Sequence, residues 1–130
     1  MQNIIFNEIM EKRIELIRKV LQKKQQEYTL TNDDRFHNFK RQSAILNITP
    51  EKALLGNWTK HLASILDIVD KIDKNVLPSN EMLEEKIGDL VNYLILLEAM
   101  IKERIRTKEL EEQLKLSKVL SKDKEPIMGC

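Results

Sequence analysis

From Leu83 to Ile101 apolar side chains fall on almost every face of a helix, the mark of a helix buried on more than one side. Asn3 to about Tyr28 carries a single apolar stripe of Ile5, Ile9, Leu16, Ile17, Val20 and Leu21, with Lys12, Lys19 and Lys23 away from it, and predicts one amphipathic helix. Thr29 to Asp34 interrupts that period, and Thr31 or Asn32 suits the cap of a short second helix over Asp33–Leu46, with Phe36, Phe39 and Leu46 toward a core. Thr49-Pro50-Glu51 is the sharpest boundary: an N-cap, a proline suited to the first helical position, and a carboxylate at the positive end of the dipole. A third helix follows to Ile72, with Leu55, Trp58, Leu62, Ile65, Val69 and Ile72 as its expected apolar face. Asp73 to Asn80, with Pro78, reads as a loop, and Ser79 or Asn80 caps the helix that contains Leu83–Ile101.

Past Arg104 the helical period continues among many Lys and Glu residues. Residues 103–120 are expected to form an exposed helical arm for a partner or a dimer, and residues 122–130 a loose tail. No strand alternation, internal repeat or low-complexity block is seen. These features predict an all-α fold: a four-helix bundle-like single domain with a long C-terminal helix. Residues 1–105 would form the bundle and 106–130 the charged extension and tail.

Composition agrees with long helices and few turns, with three Gly, three Pro and 33% charged residues. The 22 basic and 21 acidic residues are well mixed, with +2 over residues 1–30, +1 over 31–80 and −2 over 81–130, so nucleic acid is not an expected partner. The single cysteine, Cys130, excludes an internal disulfide and fits a cytoplasmic setting. Glu8, Glu11, Lys12 and Arg13 break up the N-terminal apolar pattern, so no secretory signal is read there. The uncharged run Leu90–Leu97 is too short to cross a bilayer, and no membrane association is expected.

Three groups of residues carry candidate chemistry. Glu85, Asp89 and Asn92 share one stripe of the apolar helix at i, i+4 and i+7, and carboxylates placed there must pair with cations, bind metal or shift their pKa. Two carboxylates one turn apart suit a hard divalent ion such as Mg²⁺, but they equally suit solvent-edge pairing with Lys86 or Lys102. Gly88 beside them costs the helix about 1 kcal/mol against Ala, which implies a close approach there. The second group, Lys60, His61, Ser64 and Asp67 on the third helix, is either a solvated face or a facing wall of metal- and phosphate-contacting groups. The third spans Asp33 to Arg41, where Arg35, Lys40 and Arg41 suit phosphate, and Phe36 and Phe39 suit a base or the core. There is no Gly-rich phosphate loop, zinc spacing or nucleophile elbow.

The segment from Asp33-Asp34-Arg35-Phe36-His37-Asn38-Phe39-Lys40 through Lys60-His61, Ser64 and Asp67 to Glu85-Lys86-Ile87-Gly88-Asp89 and Asn92-Tyr93 resembles a family of small phage and prophage proteins. That family is labelled nucleotide-modification-associated and is akin to the MazG-like all-α nucleoside triphosphate pyrophosphatases. The resemblance covers about residues 28–104. It implies an α-helical bundle, often dimeric, in which acidic residues on two adjacent helices hold Mg²⁺ and release pyrophosphate from a nucleoside triphosphate. By position, Glu85 and Asp89 match the acidic pair of the later helix, with one residue more between them than the usual Glu-x-x-Asp. On the earlier helix the enzymes carry Glu-Glu-x-x-Glu, where this chain has Lys60-His61-x-x-Ser64 with Asp67 nearby. That loss of negative charge weakens the case for Mg²⁺ and leaves nucleotide binding without hydrolysis, or a different ligand set.

The resulting expectation is a cytoplasmic nucleotide-binding protein, as a Mg²⁺-dependent pyrophosphohydrolase in its fullest form. Glu85 and Asp89 would be catalytic, Glu85, Asp89 and Asp67 would hold metal, and Arg35, Lys40, Lys60, His61 and Asn92 would bind substrate. A homodimer is expected. The alternative is a non-enzymatic helical protein, phage-encoded, that binds and inhibits a host protein through its charged arm.

Overall fold

A computed structural model describes the backbone of residues 1–31 and 34–123, and side chains throughout these except at 24–31. The chain is all-α: α1 (Asn3–Thr31), α2 (His37–Leu46), α3 (Pro50–Ile72) and α4 (Asn80–Asp123), with no strand among the described residues. Thr31 is the last residue of α1 and caps no second helix, and the expected cap at Asn32 lies outside the described residues. Of the tail expected over 122–130, residues 122 and 123 are helical, while those from 124 onward lie outside the described residues. No helix among the described residues is long and apolar enough to cross a membrane. By its internal contacts the chain divides into two units, Met1–Leu97 and Glu98–Cys130.

Local chemistry sets the helix ends. The Thr49 hydroxyl accepts the N–H of Lys52 at 3.3 Å from extended backbone (φ −73°, ψ 154°), and Pro50 follows it. The Ser79 hydroxyl accepts the N–H of Met82 at 3.1 Å, which makes Ser79 the cap of α4. Asn47 (φ 55°) and Asn75 (φ 56°) take the left-handed conformation after α2 and α3. Beyond them Ile48 N–H donates to Ser43 C=O, and Val76 N–H to Lys71 C=O, at 3.0 Å each, a Schellman closure in both cases.

Helix α2 begins at His37, later than the expected Asp33. The Asp34 carboxylate accepts the N–H of Phe36 at 2.9 Å and the ammonium of Lys40 at 2.6 Å, and His37 N–H donates to Asp34 C=O. A side chain that satisfies backbone donors holds the segment in a turn instead of a helical first turn. The Lys40 partner, with smaller help from the Phe36 N–H, holds the Asp34 carboxyl below its ordinary value.

In the first unit, Arg13 lies level with Glu84 and Gly88, and Leu21 lines the same cavity as Leu96, so α1 and α4 run in the same direction. His61 meets Asp89 while Asn57 lines a cavity with Tyr93 and Leu96, so α3 runs opposite to α4. The core between them is thin. Phe36, Ala53, Leu54 and Leu96 are its buried apolar residues, and Leu54 is the large side chain wholly removed from solvent.

The expected apolar faces are only partly turned inward. On α3, Leu55, Val69 and Ile72 are exposed while Ala53 and Leu54 are buried. The inward face is therefore rotated toward Leu54, Asn57, Trp58 and His61. On α1, Leu16, Ile17 and Leu21 are half-buried with Arg13 and Ile14, while Ile5, Ile9 and Val20 face solvent.

Candidate functional site

Where α2, α3 and α4 meet, the first unit turns polar groups inward. His61 Nδ1 lies 3.3 Å from Asp89 Oδ2, both side chains about a third exposed. The His61 ring lies over Tyr93 at 5.0 Å between centroids with a 33° tilt, and Tyr93 meets Phe39 edge-on at 6.0 Å and 72°. Spacing produces this row. Asn57 and His61 are one turn apart on α3, and Asp89 and Tyr93 one turn apart on α4, so two antiparallel helices bring four functional side chains into one seam.

Next to the rings is a cavity of about 310 Å³, lined by Arg35, Asn38, Phe39 and Gln42 from α2 and the turn before it, Asn57 from α3, Tyr93 and Leu96 from α4, and Leu21. Asn57 Nδ2 donates to Gln42 Oε1 at 2.9 Å, which fixes the two amides against each other. Arg35 donates through Nη1 to the Leu21 carbonyl at 3.4 Å, which anchors one edge of the guanidinium. Outside the cavity lining, Asn92 is buried with its Oδ1 unpartnered among the described residues, and the buried Trp58 Nε1 is likewise unpartnered. In the antiparallel register set by His61 and Asp89, Trp58 and Asn92 stand at the same level of α3 and α4.

The expected site residues separate into three sets. His61, Asp89 and Asn92 sit together in the α3–α4 seam, and Arg35 lines the cavity beside it. Lys40 is bound to Asp34 in a 2.6 Å ion pair. Glu85, Lys60 and Asp67 are exposed and line none of this cavity. Gly88 is buried, and the close approach it serves comes from within the protein. A Cβ there would stand 3.0 Å from Nη1 of Arg13, whose guanidinium donates to the Glu84 carbonyl at 3.1 Å. Lys102 pairs with Glu98 at 2.9 Å.

The donors expected for Mg²⁺ do not fit that ion. Among the described residues no three His, Cys, Asp or Glu side chains stand close enough to hold a metal, and Asp89 is engaged with His61. A hard cation needs a shell of oxygen donors, and one carboxylate facing an imidazole does not supply it.

Gln42, Asn57 and Tyr93 are the cavity residues that sequence reasoning left out as a site. The i, i+4 relations of Asn57 to His61 and of Tyr93 to Asp89 were the available signal. Comparison of the chain with family models, curated proteins and solved structures finds no match.

Proposed function

We propose that the α2–α3–α4 cleft binds a nucleotide without hydrolysing it. The observation that carries this reading is the composition of the cavity: two aromatic rings, the amides of Asn38, Gln42 and Asn57, and one arginine around about 310 Å³. That volume is at the small end of ligand pockets, about 300–1,000 Å³. It suits a base and its sugar, with phosphates directed outward. Tyr93 and Phe39, set edge to face, offer an aromatic corner whose ring faces suit a base, the amides supply both donors and acceptors for its edge, and the unanchored N–H groups of Arg35 suit a phosphate or a carbonyl. His61, held by Asp89 through Nδ1, leaves Nε2 for a ligand.

Titration calorimetry with a panel of nucleosides, nucleotides and deoxynucleotides tests the reading. Binding of at least one class is expected, weakened about tenfold by Tyr93→Leu through loss of a stacking partner. No heat from any nucleotide at millimolar concentration would sink it. Release of pyrophosphate on addition of Mg²⁺ would overturn the non-hydrolytic part.

A second reading is a helical interaction protein, favoured by the solvent-facing Leu110, Leu114, Leu116, Val119 and Leu120 of α4. Removal of residues 106–130 separates the two readings, since partner binding would vanish and nucleotide binding would survive.

A further inference from the structure

Along α1, charge and apolarity are arranged with a symmetry that a lone chain has no use for. Ile5, Ile9 and Val20 form with the half-buried Leu16 an apolar seam beside a groove of about 760 Å³ between α1 and α4, where Leu83 and Ile87 continue the apolar lining. Ile9 is 54% exposed and Ile5 45%, high values for isoleucines on a helix whose neighbouring core is so thin. Along one edge of this seam run Glu8, Lys12, Glu15 and Lys19, all exposed and alternating in sign.

We propose that α1 packs antiparallel against α1 of a second copy of this chain, across a two-fold axis near Arg13. In an antiparallel pair each edge faces the same edge of its partner, reflected about the centre. About a centre between Arg13 and Ile14, Glu8 is the mirror of Lys19 and Lys12 is the mirror of Glu15, so every pair on that edge joins opposite charges. About a centre one residue away, Ile5 is the mirror of Val20 and Ile9 of Leu16, so the seam is apolar against apolar in nearly the same register. A parallel pair would set Glu8 against Glu8 and Lys12 against Lys12. An unrelated partner would require no mirror relation within α1 at all. The second copy's helix would also cover Leu83 beside the groove, which joins the interface to α4.

Sedimentation equilibrium of the full chain, with helicity monitored by circular dichroism, provides the test. Wild type is expected to dimerise. The pair Glu8→Lys with Glu15→Lys makes the edge wholly positive, and Lys12→Glu with Lys19→Glu makes it wholly negative. Each double variant alone should self-associate at least about tenfold more weakly, because four favourable contacts per dimer become like-charge contacts. Mixed together, the two should recover a dimer of near wild-type affinity. Ile9→Asp should weaken association while leaving helicity unchanged. A wild-type chain that stays monomeric up to about 100 µM would overturn the proposal and leave the face to a different partner. Double variants that dimerise like wild type, or whose mixture stays monomeric, would overturn it equally.

Discussion

The seam between α3 and α4 and the outer flank of α1 invert the ordinary distribution of side chains. In the seam, His61, Asp89, Asn57 and Asn92 are turned toward neighbouring helices. On the α1 flank, Ile5, Ile9 and Val20 are turned toward solvent. Burying polar groups costs free energy unless they are paired, and exposing large apolar groups forgoes the gain of burial. The two proposals divide along this contrast: small-molecule recognition is assigned to the polar cleft, and association to the apolar flank of α1.

The largest test of that contrast concerns where stability resides. Leu54 is wholly buried, so Leu54→Ala should cost about 3 kcal/mol, whereas Ile4→Ala on the exposed end of α1 should cost less than about 0.5 kcal/mol. Urea unfolding of both variants measures the difference, and comparable losses would mean that the α1 end is covered in solution.

A smaller effect is expected at Asn92. Its Oδ1 is buried without a partner, so the apolar near-isostere Asn92→Leu should raise stability by about 1 kcal/mol while weakening any ligand that uses the carbonyl. A loss of stability in thermal unfolding would show instead that the amide is already satisfied, and would remove Asn92 from the recognition side of the comparison.

The smallest effect is a pH dependence at the edge of the cleft. The ammonium of Lys40 holds Asp34 below its ordinary value of 3.8, so the folded state binds this proton less readily than the unfolded chain. The resulting stability is present above that ordinary value and is lost as pH falls through the lower folded value. Because the pair is exposed, the contribution should be under about 1 kcal/mol. Unfolding midpoints of wild type and Asp34→Asn should differ at pH 7 and converge as the pH falls below the ordinary value of 3.8 and through the lower folded one. A difference that persists unchanged at low pH would assign the role of Asp34 to its turn geometry alone.

Much of the fold could be read from short-range chemistry. Thr49-Pro50-Glu51 marked the start of α3, Ser79 was one of two candidate caps for α4, and the period past Arg104 anticipated helix to about residue 120, whereas α4 runs on to Asp123, past the expected start of the tail at 122. Asp34 resisted such a reading, because a carboxylate that favours a first helical turn also favours a side-chain-closed turn, and Lys40 decides between them. The site was legible in part. Asp89 and His61 were singled out separately, but a helical period states which residues share a face and not how far that face is rotated toward its neighbour.

By itself, then, the sequence determined that there are four helices, where α3 begins, and that Glu85, Asp89 and Asn92 lie on one stripe, because caps, prolines and periodicity act within a few residues. Only the tertiary structure decided that Asp89 meets His61 while Glu85 stays in solvent, that Gly88 makes room for Arg13, and that Ile9 remains uncovered. Those outcomes depend on the register and rotation of helices far apart in the chain, which are set by packing between them and not by the pattern within any one.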